Sequence, residues 1–314
     1  MPQAELETAP PANDAPALEP GLHRDVPMDV YLALPYVSAS GLARLRRSPL
    51  HYRQWLSEPP APTPALERGT ALHLALLEPD AFGARYRVAG PCEARMKSGQ
   101  RAGEACGAPG QMRHLIYGWQ CGRHLNGLPT DYDTSFELLS EADHAAVIGM
   151  RDAILAHPRA RTLFEGRGEF EVTIIFDDPE TGVRCKTRPD RLIERARMLV
   201  DLKSTRDARE WCFARDAEQR AYWLKLALYR RALRAVGWPY QQAAIVAVES
   251  APPYDLVPYL IQEGDIDSAD REVSRLLRVY RECTETDTWP GYTTEFAELR
   301  RPAWATNDLE EAAA

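Results

Sequence analysis

The sequence predicts an α/β protein: a mixed central sheet flanked by helices. Two observations carry this expectation. Three β-rich segments follow one another in a hairpin-like run between residues 169 and 205. A helical stretch then separates them from two further apolar strands at 241–250 and 256–262. Alternation of that kind buries a sheet between helical layers.

The elements follow in chain order. Residues 1–25 are rich in Pro, Ala and Glu, with few large apolar side chains. Such a segment buries too little surface to offset its ordering entropy, so it is expected to be disordered. The acidic end, 303–314, reads the same way, which leaves 26–302 as a single folded domain. Ser38 and Ser40 precede GLARLRR and supply helix N-cap chemistry. Ser48-Pro49 opens a second short helix. Pro59, Pro62 and Pro64 mark a loop, and 69–78 is an apolar helix ended by Pro79. Residues 91–113, with Gly99, Gly103, Gly107 and Gly110, read as a mobile loop. Helices are expected over 141–157 and 158–165, with a break at Pro158. EFEVTIIFDD (169–178) is β-branched and aromatic and reads as one strand. PETG turns the chain, 183–194 gives a second strand and 197–205 a third. One long helix is expected over 208–236, stopped by Gly237 and Pro239, and a closing helix over 266–283.

Composition narrows the function class. Hydrophobic residues make up 45% of 314, ordinary for a globular chain. No apolar run approaches the roughly 18 residues of a membrane helix. The start lacks the layout of a signal peptide, so a soluble, cytoplasmic protein without membrane contact is expected. Net charge is −8, but residues 1–30 carry −5 of it and 303–314 the remaining −3. The body is therefore formally neutral, which neither supports nor excludes a nucleic-acid partner. The six cysteines are scattered without a C-x-x-C pair, and reduced thiols are expected. Cys106, His114, Cys121 and His124 offer zinc-type ligands, but their spacing matches no compact zinc module. Cys283 alone cannot supply an iron–sulfur cluster.

The chemistry concentrates on the three consecutive strands. Glu171 lies on the first, Asp190 follows in Arg188-Pro189-Asp190, and Asp201 and Lys203 flank Leu202 on the third. Side chains two apart on a strand face one side, so Asp201 and Lys203 project together while Leu202 points into the core. Paired strands would let the three carboxylates converge. Hard divalent cations take such oxygen ligands, and a lysine beside them can orient water and stabilise charge at phosphorus. Taken alone, Asp201 and Lys203 could equally be an exposed salt-bridged pair. Charges on the middle strands of an α/β sheet are costly, however, unless paired or metal-bound.

This set resembles the PD-(D/E)XK nuclease superfamily, with Pro189-Asp190 and Asp201-Leu202-Lys203 as its motif residues. It is similar in particular to the exodeoxyribonuclease VIII (RecE-like) group, through SASGLARLRRSPLHY (38–52), GTALHLALLEPDAF (69–82), DDPETGVRCKTRPD (177–190), DLKSTRDA (201–208) and VESAPPY (248–254), in family order. The resemblance implies a restriction-endonuclease-like fold of the lambda-exonuclease kind. It implies a Mg²⁺- or Mn²⁺-dependent deoxyribonuclease that degrades one strand of duplex DNA 5′→3′ in phage-type recombination. It implies His73, Glu171, Asp190, Asp201 and the Leu202 carbonyl as metal ligands, with Lys203 as the catalytic lysine. Glu169 shares the expected strand face with Glu171, and the family spacing favours Glu171. A ring-shaped homo-oligomer and a single-strand annealing partner are implied in the same way. Lys225, Tyr229, Arg188, Ser204 and Thr205 would contact DNA. One departure stands out: the family's Gln-x-x-x-Tyr is here Lys225-x-x-x-Tyr229, and lysine cannot accept a hydrogen bond as an amide does. Rival readings are an endonuclease, a nuclease for branched or single-stranded DNA, and a non-catalytic DNA-binding protein on a degenerate nuclease fold. The basic residues Arg215, Arg220, Arg230, Arg231 and Arg234 either contact phosphates or form a solvated face.

Overall fold

The computed structural model describes residues 17–126 and 128–301. Most of the two acidic tails lies outside these residues. Within them the chain runs β1 (Gly21–His23), α1 (Met28–Ala33), α2 (Ala39–Arg47), α3 (Pro49–Ser57), α4 (Pro64–Leu77), α5 (Pro79–Arg85) and β2 (Tyr86–Val88). Then come β3 (Met112–His114), β4 (Gly118–Gln120), α6 (Gly122–Leu125), β5 (Glu137–Leu139), α7 (Glu141–Ala156) and α8 (Ala160–Phe164). The remainder is β6 (Gly168–Phe170), β7 (Thr173–Asp177), β8 (Arg184–Thr187), β9 (Arg191–Ile193), β10 (Met198–Thr205), α9 (Glu210–Gln219), α10 (Tyr222–Ala235), β11 (Gln242–Glu249), β12 (Leu256–Ile261) and α11 (Glu263–Thr286).

Local chemistry explains the helix starts. Ser38 accepts from Gly41 N–H at 3.2 Å and opens α2. Ser48 closes α2 through its own N–H to the Arg44 carbonyl, then caps α3 by accepting from His51 N–H at 3.3 Å. Thr63 caps α4, and Pro64 occupies its first turn. That helix therefore begins five residues before the expected Gly69, because proline is favoured at a helix start. Of the stretch expected to be disordered, residues 1–16 lie outside the described residues and 17–25 are held against the fold. Gly21–His23 pairs antiparallel with β7, and Arg24 makes an ion pair with Glu169.

The central sheet has the order β12-β11-β10-β9-β6. β10 and β11 are parallel and the other neighbours antiparallel, so the sheet is mixed, as expected. Alternation along β10 and β11 divides two cores. Leu199, Ile245 and Ala247 pack with α10 and α11 on one face. Val200, Leu202, Val246 and Val248 pack with α4 and α7 on the other. A second sheet, β1-β7-β8, lies beside α10.

Three expectations need correction. The single strand expected over 169–178 is two strands in different sheets, divided at Glu171, which adopts φ 46°. The strand expected over 183–194 is likewise divided, with Arg188-Pro189-Asp190 between β8 and β9. Both breaks lie side by side, joined by Glu171 N–H donating to the Asp190 carbonyl at 3.2 Å. Together they carry the chain pair from one sheet to the other. The expected long helix over 208–236 is α9 and α10, separated at Ala221 with φ 57°.

Candidate active site

The site forms where the ladder between β9 and β10 stops. The last paired position is Val200 with Arg191. Beyond it the chain before β9 turns away at Pro189-Asp190, so Leu202 has no strand partner on that side. Asp190 replaces the missing strand: its Oδ2 accepts from Leu202 N–H at 2.7 Å. The Leu202 carbonyl faces His73 of α4, whose Nε2 lies 3.2 Å away. His73 Nδ1 lies 3.4 Å from Glu171 Oε1, and its Nε2 lies 3.9 Å from Asp190 Oδ2. Ligand atoms of His73, Glu171 and Asp190 all fall within 4.8 Å of one another. The left-handed backbone at Glu171 is unfavourable for a side chain with a Cβ, and it aims this carboxylate into the group.

Asp201 shares the α10 face of β10 with Lys203 and is wholly buried, at 0% exposure. Lys203 pairs directly with it, and Lys225 of α10 reaches its other oxygen at 2.9 Å. Each lysine also lies 3.8 Å from Asp190. Neither Asp201 oxygen receives a hydrogen bond of good geometry, so its partners act mainly by charge. Burial alone would raise the Asp201 carboxyl, but the two ammonium groups outweigh it and hold the group well below the usual carboxylate range. Burial holds Lys203 below the ordinary lysine range despite Asp201 beside it. Burial also opposes charge on Lys225, yet Asp201, Tyr229 and Asp190 prevail and raise it well above that range. For His73, burial is outweighed by Asp190 and Glu171, and the imidazole is raised.

This donor set fits a hard divalent cation. It combines an imidazole, two carboxylates of which Asp190 is buried, and a backbone carbonyl without a strand partner. Asp201 stands next to the group, buried and paired with the two lysines.

A family model for the PDDEXK-like domain of unknown function (DUF3799) matches residues 38–302. The chain belongs to that family. Its fold is also similar to an Eubacterium rectale protein that carries the provisional description of exonuclease, with TM-score 0.54 and 12% identity over 87% of this chain and 92% of that one. A phage-related exonuclease from Haemophilus somnus 129PT overlaps over 44% of this chain and 69% of its own, with TM-score 0.29 and 16% identity. No curated protein matches. Family and fold together support a nuclease.

Within this DUF3799 domain several expected DNA contacts are otherwise engaged. Arg188 is buried; it donates to Thr173 Oγ1 at 2.8 Å and to the Val26 carbonyl, and stacks 4.6 Å from the Tyr31 ring. Tyr229 is buried and donates to the Arg188 carbonyl at 2.6 Å, fixing the turn that carries Asp190. These two residues hold the site rather than face a ligand. Thr205 is buried and donates to the Asp207 carbonyl at 3.2 Å, whereas Ser204 is half-buried. Arg230 and Arg231 pair with acids of α11 and with Asp178, so they bind α10 to its neighbours. Glu169 pairs with Arg24, whereas Glu171 lies at the chain break beside His73. Sequence reasoning missed Tyr222, whose ring lies 5.2 Å from the Lys203 ammonium, and Tyr31, which covers Arg188. Aromatic residues carry no positional signal for such roles before the fold is known.

Proposed function

We propose that the protein is a metal-dependent deoxyribonuclease that removes nucleotides from duplex DNA ends. The observation that carries this reading is the meeting of His73, Glu171, Asp190 and the Leu202 carbonyl, with Asp201 and Lys203 alongside. His73, Glu171, Asp190 and Leu202 O would hold Mg²⁺ or Mn²⁺, with Asp201 joining from the α10 side. Bound there, the cation supplies positive charge to the scissile phosphate and favours ionisation of the attacking water. Lys203 then has two tasks. Its ammonium orients the water and donates a hydrogen bond to the charge that builds at phosphorus. The water oxygen bonds to phosphorus as one ester P–O bond breaks in line, the water gives up its proton to solvent, and the departing oxygen takes one from solvent. Tyr229 and Arg188 keep Asp190 in place throughout. The 5′→3′ direction, a role in phage-type recombination, a ring-shaped oligomer and an annealing partner remain proposals from the family resemblance.

One observation favours a second reading. Lys225 already neutralises Asp201 at 2.9 Å, where the resembling family has glutamine. A site closed in this way would make the chain a DNA-binding protein on a nuclease fold. Three labelled substrates separate the readings: linear duplex, covalently closed circle and single strand, each with and without Mg²⁺. The exonuclease reading expects Mg²⁺-dependent release from linear duplex alone. Cleavage of the closed circle would make the protein an endonuclease, and binding without cleavage under Mg²⁺ or Mn²⁺ would favour the second reading.

A further inference from the structure

Residues 89–136 make an excursion between the two short strands β2 and β5, and none of its described residues belongs to either core. Among its described residues, only Cys92, His114, Gln120 and Cys121 are buried. Roughly fifty residues without an apolar interior do not hold a fixed shape unaided; small units of this kind depend on disulfides or metals.

The stretch is nevertheless ordered by two stacked hairpins. In the first, Pro91 bridges Pro109 and Arg95 bridges Ala105. Cys92 N–H donates to the Ala108 carbonyl at 2.7 Å, and Cys106 N–H to the Ala94 carbonyl at 2.7 Å. The two cysteines thus stand on opposite arms. The second hairpin is β3–β4, and Cys121 follows it directly. His124 N–H donates to the Cys121 carbonyl at 2.8 Å, a turn that brings the imidazole back beside the thiol. Glu93 N–H to the Trp119 carbonyl at 2.8 Å ties one hairpin to the other. The hairpins pass so closely that a Cβ on Gly90 would lie 2.6 Å from the Trp119 ring of the second hairpin.

We propose that Cys92, Cys106, Cys121 and His124 form a structural zinc site that holds these two hairpins together. Their four ligand atoms lie within 4.8 Å of one another. Nδ1 of His124 is 3.4 Å from Sγ of Cys92 and 3.4 Å from Sγ of Cys121. A tetrahedral ion with Zn–S near 2.3 Å and Zn–N near 2.0–2.1 Å places such atoms about 3.6 Å apart. All six cysteines are free thiols, and three of them meet here. Soft thiolates select zinc over Mg²⁺ or Mn²⁺, so those ions would not displace zinc from this site. His114, which the sequence grouped with these ligands, stands apart: its Nδ1 accepts from Ile116 and Tyr117 N–H. Cys92 takes its place, from the far hairpin. The site does not depend on the nuclease reading, because none of its ligands touches His73, Glu171 or Asp190.

The test uses the full chain, purified without chelator from cells grown with zinc, and analysed for metal by mass spectrometry. The expected content is roughly one zinc per chain. It should be unchanged in Asp190→Asn and in Cys212→Ser, and lost in Cys106→Ser. Should Cys106→Ser fail to fold, Co²⁺ exchange into the wild type decides the matter. Thiolate-to-cobalt charge-transfer and tetrahedral d–d bands support the site. Wild type that carries no zinc and shows no thiolate-to-cobalt band with Co²⁺ overturns it, whether its thiols titrate freely or Cys92 and Cys121 form a disulfide.

Discussion

At the scale of single residues the centre is three carboxylates against two ammonium groups. Asp190 and Asp201 meet Lys203 and Lys225, Glu171 stands beside His73, and Lys225 spans both aspartates. An ammonium in that position competes with a cation for the same oxygens. Lys225→Gln is therefore expected to tighten Mn²⁺ binding by about tenfold, ~1.4 kcal/mol, in isothermal titration. Unchanged or weaker binding would mean that Lys225 does not oppose the metal. His73 sets the pH dependence. Its proton must leave before a ring nitrogen can coordinate, and its carboxylate neighbours raise it above the usual histidine value of about 6.5. Metal affinity is then full well above that raised value and falls as the pH drops through it. Titration of Mn²⁺ at several pH values should show this fall in wild type and lose it in His73→Asn.

At the scale of elements, the motif residues were legible because chemistry fixes their types. Asp201 and Lys203 share one face of β10 by strand spacing, and Asp190 reaches them from the turn before β9. The break at Glu171 was not legible. EFEVTIIFDD has the composition of one strand, and a left-handed glutamate leaves no compositional trace. For the same reason Arg188 and Tyr229 looked available to DNA, since only the fold shows that they brace the Asp190 turn. Tyr229→Phe should leave the chain folded and lower kcat more than it raises KM, because the loosened turn displaces Asp190. An unaltered kcat would show the bond to be incidental. Helix caps were the most readable feature. Ser48 ends α2 and starts α3, so Ser48→Ala should reduce stability by about 1 kcal/mol in urea denaturation.

Across the whole molecule, the sheet divides two apolar cores, and the candidate site sits on its middle strand where the β9–β10 ladder ends. Among the described residues no helix is long and apolar enough to cross a membrane. The α10 side is tied together through Arg231, which joins Asp178 at 2.6 Å and Asp270 at 2.7 Å. Removing a buried cation leaves its acid uncompensated, so Arg231→Met should lower stability by about 3 kcal/mol in thermal unfolding. The mixed α/β architecture was visible in the order of segments. The excursion from 89 to 136 was not, because its cohesion rests on ligands drawn from separate hairpins rather than on apolar periodicity.

The most direct test is anomalous diffraction from crystals grown with Mn²⁺. The account predicts a manganese peak within coordination distance of His73, Glu171, Asp190 and the Leu202 carbonyl, absent in Asp190→Asn crystals. A wild-type map with no peak there, at a Mn²⁺ concentration that supports DNA cleavage, would contradict it.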